Sequence, residues 1–140
     1  MSLFRWGKKT VKFLVAYNGT DESKLALDLA KKHAKVFNAG VLVVSSSEGG
    51  KRERPEDISR IKLELDNIQK VLEGEGIDCE VNQLARGLSP GEDLILFAEE
   101  NDVDQIYVGI RKKSRTSKLI LGSTAQYIIL KAKCPVTSVK

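Results

Sequence analysis

Short apolar runs alternate with longer amphipathic stretches along this chain, which predicts strands and helices in turn. "VKFLVAY" at 11–17 is β-branched and aromatic and stops at Asn18-Gly19, the pattern of a strand buried on both faces. Thr20 then caps a helix whose first turn carries Asp21 and Glu22, where carboxylates meet the positive end of the helix dipole. Leu25, Ala26, Leu29, Ala30, Val36 and Phe37 recur at helical spacing, lysines 31, 32 and 35 crowd the last turns, and Asn38-Ala39-Gly40 ends the element. "VLVVSS" at 41–46 predicts a second buried strand, followed by a charged connection. Ile58, Ile61, Leu65, Ile68 and Leu72 draw one apolar stripe along a second helix, stopped by Gly74 and Gly76. "CEVNQLA" at 79–85 alternates polar and apolar positions and reads as an edge strand. Ser89, Pro90 and Glu92 occupy the N-cap, first-turn and capping-box positions of a helix through Leu94, Ile95, Phe97 and Ala98. "QIYVGI" at 105–110 and "PVTSV" at 135–139 are the last two strands, and Ser123 starts a helix between them that bears Ala125, Ile128, Ile129 and Ala132.

Strands alternating with helices of this length predict a parallel sheet, because parallel neighbours need right-handed helical crossovers. The expected fold is a single doubly wound α/β domain over 11–140, its five strands in the order 3-2-1-4-5 with helices on both faces; residues 1–10 read as an N-terminal extension with Trp6 as a packing anchor. In such sheets the ligand crevice lies beyond the C-terminal strand ends where the strand order reverses. That point brings "AYNGT" beside "VGIRKK".

Composition changes this picture in two places. With 140 residues and 41% hydrophobic content, the chain suits one core without disulfides or metal. Its +4 net charge is local: Arg111, Lys112, Lys113, Arg115 and Lys118 supply +5, which leaves the rest at −1 and suggests an anionic partner at one place. Cys79 and Cys134 stand far apart without a CxxC motif, so they read as buried thiols, and no metal site is expected. No apolar run is long enough to span a bilayer, and the start lacks a signal-peptide pattern, so a cytoplasmic location is expected. His33 has no serine or cysteine motif partner and reads as a structural helix residue, and Asp21 and Glu22 read as helix-start charges.

The candidate chemistry sits at Gly122-Ser123-Thr124. Unpaired backbone N–H groups and the positive dipole end coincide at a helix start, which makes an anion site, and the Ser123 hydroxyl can either cap the helix or meet a phosphate. The loop that leaves the switch point returns to this helix carrying the basic residues from Arg111 onward. Gly109 and Gly122-Ser123 stand at the first and last glycines of G-x2-G-x9-G-[ST], with Lys112 in place of the second; "NGTDES", "GLSPGEDLI" and "CPV" accompany them. Over nearly all of 11–140 the chain resembles the universal stress proteins. The resemblance implies an adenine nucleotide (ATP, ADP or AMP) contacted by Ala16, Asn18, Ser46, Gly109, Arg111, Lys112, Gly122, Ser123 and Thr124, with Mg2+ only as the nucleotide's companion. Asn18 replaces an aspartate of the nucleotide-binding members, retaining one acceptor and adding a donor. At Lys112 a side-chain ammonium stands where a glycine would let the backbone approach a phosphate.

The favoured reading is therefore a cytoplasmic nucleotide-binding regulatory dimer. It pairs through residues 135–139, whose edge carries no charge to protect it. An interaction module of the same fold without nucleotide is the first alternative. A slow ATP hydrolase or adenylate-transfer enzyme is the second, and it is the weaker because no general base or nucleophile is identifiable. Nucleic acid is disfavoured, since the basic loop has no interleaved aromatics for base stacking.

Overall fold

A computed structural model describes residues 10–50, 53–112 and 119–140. Five strands form one all-parallel sheet: β1 (Lys12–Ala16), β2 (Gly40–Ser46), β3 (Cys79–Leu84), β4 (Gln105–Gly109) and β7 (Val136–Val139), in the order β3-β2-β1-β4-β7. This is the expected 3-2-1-4-5 sheet, with β3 and β7 at the edges. Two short arms, β5 (Arg111–Lys112) and β6 (Leu119–Ile120), pair antiparallel as a hairpin beyond β4, with Lys112 opposite Leu119. The basic residues Lys113, Arg115 and Lys118 lie outside the described residues, as does Trp6.

Alternation along β1 assigns the faces. Phe13, Val15 and Tyr17 enter one core beneath α1 (Asp21–Phe37) and α2 (Pro55–Gly74). Leu14 and Ala16 enter the other, beneath α3 (Pro90–Glu100) and α4 (Ser123–Lys131). Helix α1 meets the sheet through Ala26, Ala30 and Ala34, spaced one turn apart, together with Leu27. Their small side chains let the helix lie close. That rotation corrects the expected stripe: Leu25 stands at 48%, Val36 at 76% and Phe37 at 61% exposure. Ile61, Leu65 and Leu72 of α2 are buried as expected, whereas Ile58 in its first turns is exposed.

Two cap assignments also change. Ser89 is the N-cap of α3, but its hydroxyl donates to the Glu92 carboxylate at 2.6 Å instead of accepting from the helix backbone. For α4 the N-cap is Gly122, and Ser123 is the first helical residue. Of the two thiols, Cys79 is fully buried and desolvation pushes it up to about 12, while Cys134 is only half-buried. His33 packs against Phe37 and Tyr107, with Nδ1 2.6 Å from the Tyr107 hydroxyl, so its contacts are structural.

Candidate functional site

Between β1 and β4, where the strand order reverses, a crevice of about 380 Å³ opens at the C-terminal strand ends. Ala16, Val108, Leu94 and Ala125 give it an apolar base on the α3/α4 face. Of the nine residues singled out in the sequence, Ala16, Asn18, Ser46, Gly109, Arg111, Gly122, Ser123 and Thr124 all line it. The ninth, Lys112, has its backbone in β5, and its side chain lies outside the described residues.

Besides the start of α3, which opens at Pro90 and carries Glu92 and Asp93 in its first turn, two helix N-termini line this space, and they are electrostatically unlike. On α1 the Thr20 hydroxyl accepts from the Ser23 N–H at 3.2 Å, and Asp21 and Glu22 already supply negative charge to the first turn. On α4 no side chain among the described residues caps the turn, and no acid stands in it. The first intrahelical bond there runs from the Gln126 N–H to the Gly122 carbonyl, so the N–H groups of Ser123, Thr124 and Ala125 precede the ladder. Of these two helix ends, α4 is the one left to be completed by an anion.

The remaining polar groups have defined roles. Asn18 Oδ1 accepts from the Thr20 backbone N–H at 3.2 Å and from the Thr20 hydroxyl at 2.6 Å. A backbone donor fixes which way the amide points, so of the acceptor and donor that the sequence gives Asn18, the acceptor is engaged by Thr20 and the Nδ2 donor is left for a ligand. Tyr17 donates its hydroxyl to Glu64 Oε1 at 2.5 Å, tying α2 to the end of β1. Burial, reinforced by Glu64, raises its phenol well above the ordinary value, so Tyr17 is no base. Arg111 Nε lies 3.5 Å from Glu22 Oε1, and both residues line the crevice. Gly109 has a packing reason to be glycine: a Cβ there would stand 2.3 Å from the Glu22 carbonyl oxygen.

Sequence reasoning missed Glu22 as a crevice residue, and it missed Arg86 and Asp93 beneath Ser46. Asp93 carried a signal: it stands one turn before Phe97, on the side of α3 that also buries Leu94 and Ala98. An acid on an apolar face is paired when buried. Among the described residues no group of three or more potential metal ligands gathers. No helix among them is long and apolar enough to cross a membrane.

The model of the Universal stress protein family matches residues 10–140. The chain belongs to the universal stress protein family. Among its relatives, the universal stress protein MJ0531 of Methanocaldococcus jannaschii is 31% identical, with 99% of this chain and 88% of that protein covered. A universal stress protein structure from Archaeoglobus fulgidus superposes with a TM-score of 0.81 at 37% identity, covering 94% of this chain and 98% of that one. A second structure from that organism, a universal stress protein in complex with dAMP, has a TM-score of 0.76 at 34% identity and covers 93% and 98%. The sheet order, the crevice at its switch point and the glycine-serine helix start thus stand in a universal stress protein fold.

Proposed function

We propose that this universal stress protein binds an adenine nucleotide in the β1/β4 crevice and acts as a cytoplasmic regulatory homodimer, not as an enzyme. The observation that carries the reading is the contrast between the two helix starts: α4 presents backbone donors with neither cap nor acid, beside Arg111. A phosphate there completes the helix end, and the apolar base beyond it suits a ribose and a purine. The Archaeoglobus fulgidus relative with bound dAMP supports the same ligand class. Asn18, Ser46, Gly122, Ser123, Thr124 and Arg111 are the proposed contacts; Ala16 forms apolar base, and Gly109 acts by letting α1 approach. Lys112 remains a contact only through its position in the hairpin arm. Mg2+ enters this reading solely as the companion of a di- or triphosphate.

Titration calorimetry with AMP and ATP tests the proposal: affinity in the micromolar range, about 8 kcal/mol, is expected. Absence of heat with either nucleotide at millimolar concentration contradicts it. Glu22 supplies a second check. Its carboxylate places negative charge in the crevice and engages Arg111, so Glu22→Gln is expected to tighten nucleotide binding about 2- to 5-fold, the scale of an exposed ion pair. A weaker affinity in that variant would show Glu22 to be a ligand contact in its own right.

Dimerisation is proposed through the outer edge of β7. Ile106 and Ile110 donate to the carbonyls of Pro135 and Val139, so the polar backbone groups of 135, 137 and 139 face β4, and those of Val136 and Ser138 face outward. Proline at 137 would therefore strip a donor from the sheet itself. Ser138→Pro removes an outward donor and is expected to give monomers by light scattering at tens of micromolar while leaving the circular dichroism unchanged. A dimer that survives this change is not held by the β7 edge.

A further inference from the structure

Beneath the crevice lies a polar group that the apolar core would otherwise exclude. Asp93, with no exposed surface, accepts from Arg86 Nε on Oδ1 at 2.6 Å and from the Ser46 hydroxyl on Oδ2 at 2.9 Å. Arg86 is itself held, donating through Nη1 to Glu100 at 2.7 Å and through Nη2 to the Asp93 carbonyl at 3.3 Å. A carboxylate buried in this way cannot turn from its partners without leaving charge unsatisfied. Ser46 is the last residue of β2 and lines the crevice.

A serine hydroxyl carries one proton and two lone pairs. With the proton given to Asp93, only acceptor capacity is left for a ligand. Position then says which part of a nucleotide meets it. The helix start that takes the phosphate adjoins β4, β1 intervenes, and Ser46 stands on β2, about 10 Å from β4 at the ordinary strand spacing. A nucleotide laid across the strand ends with its phosphate on α4 brings its base to Ser46.

We propose that the buried Arg86–Asp93 pair locks the Ser46 hydroxyl as an acceptor, and that this lock makes the base end of the crevice select an aminopurine over an oxopurine. The proposal rests on the nucleotide reading above and adds to it a positioning residue, Asp93, and a specificity-determining residue, Ser46. An exocyclic amino group donates to Ser46. An oxo group at the same position sets lone pairs against lone pairs and leaves two acceptors unpaired in a partly desolvated site, worth about 10- to 100-fold in affinity.

The test compares AMP with IMP, which differ at that exocyclic group and at the ring N1 beside it, an acceptor in AMP and an N–H donor in IMP, by calorimetric titration of three forms of the full chain. The wild type is expected to prefer AMP about 10- to 100-fold. Ser46→Ala removes the acceptor and should bring the two affinities within about 3-fold of each other, with binding of both retained through the phosphate end. Asp93→Asn goes further. Arg86 can only donate, so the asparagine must turn its oxygen to Arg86 and its Nδ2 to Ser46, which sends the serine proton into the crevice and should reverse the preference toward IMP. A purely structural role for Asp93 would lower both affinities without inverting their ratio. Should Asp93→Asn fail to fold, the Ser46→Ala ratio decides alone. A wild type that binds both nucleotides equally, or an unchanged AMP preference in Ser46→Ala, overturns the lock and leaves nucleotide binding standing. Failure of the wild type to bind either nucleotide overturns both.

Discussion

Gly109→Ala is expected to destabilise the domain by about 3 kcal/mol, the upper range for inserting a methyl group where nothing can give way. The obstruction is backbone: the new Cβ would stand 2.3 Å from the Glu22 carbonyl oxygen, 2.4 Å from its carbon and 2.8 Å from the Ser23 nitrogen. Relief would require the start of α1 to move away from β4, dragging Asn18 and Thr20 out of the crevice wall. Urea denaturation measures the change, and Gly122→Ala serves as a control, since no atom of the described residues lies within 4 Å of the place its methyl group would take and its φ of −62° suits any residue. Equal midpoints for the two variants would refute the close approach of α1 to β4. The first glycine of the sequence motif thus has a packing role, and the last has open space that a ligand can use.

Gly122→Val carries the largest expected effect on binding. As N-cap with extended ψ of 159°, the position accepts a β-branched residue, at about 1 kcal/mol for the poorer cap. Its methyl groups then occupy the approach to the Ser123 and Thr124 N–H groups, where the phosphate is to sit. At least a 100-fold loss of AMP affinity is expected, about 3 kcal/mol, in a protein that still unfolds cooperatively. Retention of wild-type affinity would remove the phosphate from this helix start.

The sheet order was legible because its signals are local and repeated: β1 and β2 are rich in apolar residues, Asn18-Gly19 and Gly74 to Gly76 punctuate the chain, and β3 alternates as an edge strand does. Helix orientation was less so. Periodicity cannot tell a face of alanines that packs closely from a neighbouring face with Leu25 and Phe37, because the closeness of α1 to the sheet is a tertiary fact. The two-residue arms β5 and β6 are too short to show a period. At the site, the glycine-serine helix start was visible as a motif, whereas its electrostatic contrast with α1 required knowing that Gly122, not Ser123, is the cap. The Arg86–Asp93–Ser46 chain joins residues from three parts of the chain, and sequence spacing contains nothing that links position 46 to position 93. Asn18 shows the same limit. Its side-chain chemistry is plain from the sequence, but its acceptor is already used by Thr20 two residues on.

Whether a nucleotide phosphate completes the start of α4 can be read from amide NMR of the isotope-labelled chain titrated in parallel with AMP and with adenosine. With AMP the Ser123 and Thr124 amide resonances are expected to move downfield, as N–H groups do on meeting an anion, and with adenosine to stay near their free positions. Saturating AMP that leaves those two amides unmoved, or adenosine that moves them equally, would contradict it.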